Sequence, residues 1–381
     1  MWMKRPSGHA WSRRHGGCGH KMADLSVELC GIRLRNPLIL ASGPLSWGAE
    51  GIQAAFSAGA AAVVTKTIRP QATANPVPHI AAAGSGTLLN TEGWSDFSAR
   101  QWLETELPAL RREDRGEGVL ITSVGHTPPE VARLARPLME AGADLLELVS
   151  YRAEDAAPMV EVAKKAVTIP VLIKVSANWP DLLEVVEACL RRGADGITAI
   201  DSIGPTLRVN VETGRPRLGS FAWLSGRAIL PVSLRVVAQI CQRYQVPVVG
   251  TGGVGAAEDV VEMVMAGATA TGVHSVPLLQ GLQWFGKTLS RLERWLDERG
   301  HARLADLRGM ALPHLEKPVA HTPLAFAFDR EACTRCGRCV TVCAYGAREM
   351  TTEGDMLLDG EICRSCGLCV EVCPTGALMV Q

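Results

Sequence analysis

Between Leu38 and Val273 the chain repeats one pattern. A short apolar run, rich in β-branched residues, is followed by a longer stretch with apolar positions three and four apart. The runs are Pro37–Ser42, Ala61–Lys66, Val119–Gly125, Leu145–Ser150, Val171–Ser176, Gly196–Asp201, Pro247–Gly252 and Ala268–Val273. Their length and flanks predict strands, and stretches such as PEVARLARPLMEAGA and DLLEVVEACLRRGA predict amphipathic helices. Gly follows several of these helices just before the next strand, in AGA, AGAD, RGAD and AGAT, which is the usual helix stop. Strand-then-helix order repeated without a break predicts a parallel sheet. Eight units in this length predict an α/β chain whose main domain is a (β/α)8 barrel. The connection from Asp201 to Ser225 is long for such a barrel, and loops of that length often close over a ligand.

The pattern stops near residue 310. The segment before it and the segment after it differ in kind. Residues 1–22 (MWMKRPSGHAWSRRHGGCGHKM) have positive charge with no apolar core behind it, so they do not read as a secretory signal. They are expected to form a disordered tail, and His9, His15, Cys18 and His20 within it are read as part of an unstructured arm. The barrel is expected over 23–310, a linker over 311–325 and a small separate module over 326–381.

That module holds eight of the chain's 12 cysteines. They fall in two copies of C-x2-C-x2-C-x3-C, one at Cys333, Cys336, Cys339 and Cys343, the other at Cys363, Cys366, Cys369 and Cys373. This is the spacing of a ferredoxin with two [4Fe-4S] clusters, in which the fourth cysteine of each run serves the other cluster. One cluster is therefore assigned Cys333, Cys336, Cys339 and Cys373, and the other Cys363, Cys366, Cys369 and Cys343. Zinc sites, the competing reading, use two C-x2-4-C pairs with a longer spacer. A module of about 55 residues has little core of its own, so the clusters must also staple it. The expected fold is a small α+β ferredoxin-like domain. Its thiolates call for a reducing interior, which points to the cytoplasm. Cys30, Cys189 and Cys241 lie among apolar neighbours and read as core residues.

Charge narrows the partners. Lys plus Arg and Asp plus Glu both total 39. No basic field advertises a nucleic acid or an anionic membrane, and no apolar run approaches the roughly 18 residues of a membrane span.

The turn GTGGVG, Gly250–Gly255, follows the seventh run and opens a helix. As G-x-G-x-x-G it would suit a dinucleotide. In a dinucleotide fold, however, that turn belongs to the first unit, with an acidic residue about 20 positions on. Here the next strand ends in Val273, His274 and Ser275. Barrels bind a single phosphate with the loops after strands seven and eight, through backbone N–H groups at a helix start. Gly252, Gly253 and the end of strand eight are thus read as a one-phosphate cradle. Beside a ferredoxin module, FMN is the mononucleotide that fits, because a flavin exchanges single electrons as well as hydride.

Taken in order, DLSVELCGIRLRNPLILASG, VVTKT, LLNTEG, VLIKVS, DSIG, WLSGRAILP and VVGTGGV resemble the FMN barrel of dihydroorotate dehydrogenases and of the C-terminal half of dihydropyrimidine dehydrogenase. The resemblance runs from about residue 23 to 381. It implies that Ala41 and Ser42 lie against the flavin, and that Lys66 and Lys174 contact its ring and stabilise negative charge on it. Ser225, Gly226, Gly252 and Gly253 would hold the phosphate, with His274 and Ser275 standing where the family usually has Gly-Thr. Asn90 matches an asparagine that binds substrate.

Two departures bear on substrate. After strand four the family carries an asparagine and, on the following loop, a cysteine or serine that moves a proton. This chain reads ELVSYRAEDAAP, with Val149 at the asparagine's place and no cysteine. After strand six the family's second asparagine is Asp201, beside Ser202. A site that loses the groups that read a ring loses its preference for that ring, so dihydroorotate and uracil are not expected as substrates. Ser150, Tyr151, Glu154 and Asp155 are the candidates for acid–base work. Tyr151 is preferred because a phenol can protonate a developing carbanion, with Ser150 next. Arg152 would pair with an anionic substrate. His126 reads equally well as structural or catalytic.

Two functions stay open. The chain may be read as an enzyme that moves electrons between clusters, FMN and a C=C or CH–CH bond of a small cyclic substrate, fed by a ferredoxin or an NAD(P)H-oxidising flavoprotein subunit. The alternative is an electron-transfer subunit whose FMN and clusters are only a relay. A phosphate-sugar lyase barrel with an appended ferredoxin is a third reading. Association with further copies of the chain is also open.

Overall fold

A computed structural model describes residues 23–111, 115–315 and 323–380; residues 1–22, with their histidines and Cys18, lie outside that range. The contacts divide the chain between Leu315 and Glu316.

In the first unit all eight predicted strands form. They are β1 (Leu38–Leu40), β2 (Ala62–Val64), β3 (Val119–Gly125), β4 (Leu145–Val149), β5 (Val171–Val175), β6 (Gly196–Ala199), β7 (Val248–Thr251) and β8 (Ala270–Val273). Each pairs in parallel with the next, and β8 returns to β1 through Thr271 opposite Leu38, closing the barrel. Every residue of β1 to β8 is buried. This explains why the runs are continuously apolar rather than alternating, as parallel strands covered on both faces require. The helices cover the outside with single apolar stripes. Pro128–Glu140 buries Val131, Leu134, Ala135 and Leu138, the three-and-four spacing visible in its sequence. An antiparallel hairpin, Val27–Leu29 with Ile32–Leu34, packs Leu29 and Leu34 with Ile39, Ile121 and Leu172. It plugs the end of the barrel where the strands begin.

The long connection after β6 is not an open loop. Ile203–Thr206 and Ala222–Gly226 pair with each other, and Ala222–Gly226 then pairs with Thr87–Asn90 from the connection after β2. With Ile80–Gly84 these make a four-stranded antiparallel sheet. The first unit also continues past residue 310, the expected start of the linker. The turn Leu312–His314 follows Ala311, whose N–H donates to the Met265 carbonyl at 3.0 Å. Residues 316–322 of the expected linker lie outside the described range.

The second unit is two near-copies of one motif, offset by 30 residues. Phe326–Phe328 pairs with Leu378–Val380, and Arg348–Met350 pairs with Met356–Leu358. Helical turns at Arg338–Thr341 and Leu368–Glu371 occupy matching places. Among the described residues no helix is long and apolar enough to cross a membrane.

Candidate active site

The ends of β1, β2 and β4 to β8, together with the antiparallel sheet, line an open cleft of about 170 Å3. Carboxyl ends of barrel strands are where such folds place chemistry.

One end is built from small groups. Ser225, Gly226, Gly252, Gly253 and Ser275 all line it. The Ser275 hydroxyl donates to the Ser225 hydroxyl at 3.1 Å, joining the antiparallel sheet to the end of β8. Gly226 and Gly253 have φ of 80° and 86°. A Cβ on Gly253 would collide with the backbone of Leu230, and one on Gly226 with the Gly86 carbonyl. Only glycine fits either place.

Ala41 and Ser42 form the wall beside this end. His274 braces them: its Nδ1 lies 2.7 Å from the Ala41 carbonyl, and the Leu45 N–H donates to Nε2 at 3.4 Å. These two bonds define the neutral tautomer with Nδ1 protonated. Burial, with Lys174 and Lys66 nearby, pushes its pKa down to about 4. The Thr251 hydroxyl, on a cleft-lining residue only 8% exposed, has no hydrogen-bond partner. An orphaned buried hydroxyl in a cleft with a glycine cradle suits a polar, phosphate-bearing cofactor such as FMN.

The middle of the cleft carries two lysines, each held by two carboxylates. Lys66 lies 2.7 Å from Glu92 and 2.6 Å from Asp96. Burial opposes charge on Asp96, but the Lys66 bond outweighs it and lowers the Asp96 pKa. Lys174 lies 3.7 Å from Glu147 and 3.9 Å from Asp201. Burial pushes its pKa down, yet those carboxylates outweigh burial and raise it. Glu147 is itself buried and accepts from Thr198 at 2.8 Å.

The remaining wall is aromatic. Tyr151 stacks on Trp223 with centroids 5.1 Å apart and planes 8° apart. Trp94 also lies 4.8 Å from the Tyr151 ring, and in turn stacks on His126 at 5.1 Å. Asn90, directly opposite Trp223 in the sheet, lines the cleft beside Asp201 and Ser202. The loop carrying Trp94 and Asp96 is fixed by Ser95. Its N–H donates to the Thr67 carbonyl at 2.9 Å, and its hydroxyl accepts from the fully buried Trp102 at 2.7 Å. Partial burial, together with the Asp201 and Glu92 charges, raises the Tyr151 phenol pKa.

The cleft thus gathers most of the residues singled out in the sequence, but not Ser150 or Arg152. Ser150 is buried, with its hydroxyl accepting from the Arg152 N–H at 3.1 Å. Arg152 points to solvent and pairs with Glu154 at 2.7 Å, so it is not placed to receive an anion in the cleft. Glu154 is tied up in that pair, and Asp155 faces Arg152 at 3.4 Å. His126 does not line the cleft. Burial and Arg69 lower its pKa, and it serves to back Trp94. Sequence reading missed Glu92, Trp94, Trp223 and Thr251. Glu92 and Trp94 follow Asn90 within four positions, so that motif held the available signal. Trp223 became visible only through strand pairing.

In the second unit Cys333, Cys336, Cys339 and Cys373 line one cavity. Among the described residues no three His, Cys, Asp or Glu side chains converge tightly enough to grip one ion. Four cysteines ringing a space, rather than meeting at a point, suit a cubane better than zinc. Arg335 and Gly337 take left-handed backbone here, and Ser365 and Gly367 repeat it 30 residues later. The Arg335 and Ser365 N–H groups donate to Cys333 and Cys363 sulfur, each at 3.4 Å. The repeat maps the first set onto Cys363, Cys366, Cys369 and Cys343.

A closed barrel with a phosphate-type cradle at its mouth, joined to a ferredoxin module, defines a class of redox protein. The comparisons with known proteins give the family. The family model for dihydroorotate dehydrogenase matches residues 24–296, and one for a 4Fe-4S dicluster domain matches residues 332–377. The dihydroorotate dehydrogenase B (NAD(+)) catalytic subunit of Pyrococcus abyssi is 31% identical over 311 residues, covering 76% of this chain and 99% of that protein. The corresponding subunit of Methanosarcina mazei is 32% identical over 309 residues, covering 77% and 97%. The chain belongs to the dihydroorotate dehydrogenase family and is an oxidoreductase of that family with a 4Fe-4S ferredoxin domain.

Proposed function

We propose that the protein is an FMN- and iron–sulfur-dependent oxidoreductase that acts on a CH–CH or C=C bond of a small cyclic substrate other than dihydroorotate. The observation that carries this reading is the single cleft in which a glycine cradle, two clamped lysines, Asn90 and the Tyr151 phenol come together.

Ser225, Gly226, Gly252, Gly253 and Ser275 would hold the phosphate, and Ala41, Ser42 and Thr251 would lie along the cofactor. FMN, when bound, supplies hydride exchange with carbon and single-electron exchange with clusters. The chain supplies the rest. Lys66 and Lys174, each paired with two carboxylates, would offset negative charge gained by the ring. Asn90 orients the substrate. Tyr151 holds the proton. The phenol can give a proton to the carbon beside the one that exchanges hydride, or take one back in the reverse direction. In the saturating direction one carbon receives hydride, its neighbour receives the phenolic proton, and solvent on the exposed side of Tyr151 replaces that proton. Val149, which has no hydrogen-bonding group, removes one contact that would read a pyrimidine.

The two cysteine sets would each hold a [4Fe-4S] cluster. Nearly the whole of each relative aligns with about three-quarters of this chain, the share the barrel unit makes up. The ferredoxin module is then an added electron port, served in the cytoplasm by a ferredoxin or an NAD(P)H-oxidising flavoprotein subunit.

Anaerobic purification with flavin extraction, iron and sulfide analysis tests the reading. Bound FMN and about eight irons per chain are expected, and protein with clusters but no flavin would refute it. A reduced flavin that a partner protein reoxidises, but that cyclic imides, enones and enoyl acids do not, would put the relay function in its place.

A further inference from the structure

Away from the glycine cradle, the substrate half of the cleft is unsuited to an anion. The two lysines that line it are each committed to two carboxylates, so four acids face two ammonium groups. The one arginine on the loop after β4 pairs outside the cleft. The nearby Arg69 is spent on Glu130 in a two-point contact at 2.7 and 3.0 Å. The substrate half therefore offers acceptors: Asp201 and Glu92 line it beside the Tyr151–Trp223 stack. An aspartate at position 201 inverts what an asparagine would present. Where an asparagine amide also donates, a carboxylate only accepts. Burying a substrate carboxylate here would set it against Asp201 and Glu92, and like charges brought together away from water repel strongly.

Resting on the oxidoreductase reading above, we propose that the cleft selects a planar nitrogen heterocycle that presents N–H donors or positive charge to Asp201 and Glu92, and rejects rings bearing a carboxylate. The flat aromatic wall suits a planar ring, and a charge-assisted pair with a carboxylate is the stronger kind of hydrogen bond. Asp201 and Glu92 are the specificity-determining residues.

The test is a titration of the FMN-loaded protein, following the flavin absorbance band, with orotate, uracil and 2,4-diaminopyrimidine at a pH where the last is protonated. The diaminopyrimidine is expected to bind at least about tenfold more tightly than orotate. Asp201→Asn should weaken it by about tenfold or more while tightening orotate. Opposite shifts from one substitution would not arise from a structural fault. Glu92→Gln, which leaves Lys174 and its partners untouched, should weaken the diaminopyrimidine too. Orotate binding as tightly as the diaminopyrimidine, both ligands weakening together in Asp201→Asn, or no probe perturbing the flavin would overturn the proposal. Failure to retain FMN at all would instead strike the oxidoreductase reading.

A separate observation lies in the ferredoxin unit. Leu378 lines the cavity of Cys333, Cys336, Cys339 and Cys373, as does Met356. The 30-residue repeat puts Arg348 and Phe326 at the matching places by the other cysteine set. Arg348 is 6% exposed. Its Nη2 has no hydrogen-bond partner, and its guanidinium lies 4.4 Å over the Phe326 ring. A buried cation favours the more negative, reduced state of a neighbouring cluster. We infer that Arg348 makes the cluster of Cys343, Cys363, Cys366 and Cys369 the more easily reduced of the two. A redox titration followed by EPR should resolve two steps in the native protein. Arg348→Leu should lower the upper step toward the other, and Leu378→Arg should raise the lower one. A single step in the native protein, or two steps unmoved in both variants with iron content intact, would overturn it.

Discussion

Replacing Lys174 by methionine removes the cation that keeps Glu147 tolerable inside the barrel. Glu147 is 2% exposed and Lys174 7%, with 3.7 Å between Nζ and Oε1. That oxygen has no hydrogen bond of its own, so the ammonium is its main compensation. At an effective dielectric near 20 the attraction is about 4.5 kcal/mol. Breaking a buried pair by removing one partner costs about 3–5 kcal/mol. The two figures agree, and Lys174→Met is expected to destabilise the barrel by about 4 kcal/mol. Adding Glu147→Gln should recover more than half of this, because the stranded charge is gone. Equilibrium unfolding in urea, read by tryptophan fluorescence on the full chain, measures it. Seven of the nine tryptophans lie in the barrel unit and none in the ferredoxin module, so the signal reports mainly the barrel unit. A loss below about 1 kcal/mol, or a double variant no better than the single one, would refute the view that the pair is a desolvated, mutually dependent unit.

Tyr151→Phe should keep FMN while lowering turnover about 100-fold or more, the contribution of a positioned proton donor; unchanged steady-state turnover would remove Tyr151 from the mechanism. His274 gives a pH dependence. Its folded pKa of about 4 lies below the ordinary 6.5, so the unfolded chain binds the proton first as pH falls. The stability it confers is whole above about pH 6.5 and declines as pH drops toward 4. Denaturant midpoints taken across that window should fall more steeply in the native protein than in His274→Gln. Cys373→Ser should halve the iron, to about four atoms per chain, and leave the cluster of Cys363, Cys366, Cys369 and Cys343; iron analysis that shows the other half lost, or none, would contradict the crossed ligand sets.

The sequence by itself determined the strand count, the parallel barrel and the paired cysteine runs. In each case the signal is local. A strand buried on both faces must be apolar throughout, and a cubane needs thiolates at fixed short spacings. The cradle glycines were legible for the same reason, since the turn that needs them is only a few residues long. The tertiary structure alone decided what faces the cleft. Ser150 and Tyr151 are adjacent in sequence, yet the backbone turns one hydroxyl inward to the Arg152 N–H and sends the other among tryptophans. Trp223 reaches the site because its strand pairs with a segment more than a hundred residues earlier in the chain, and the acids that clamp Lys66 and Lys174 come from two different connections and one strand. Charge balance in a closed cavity is a sum over distant positions, and only folding performs that sum.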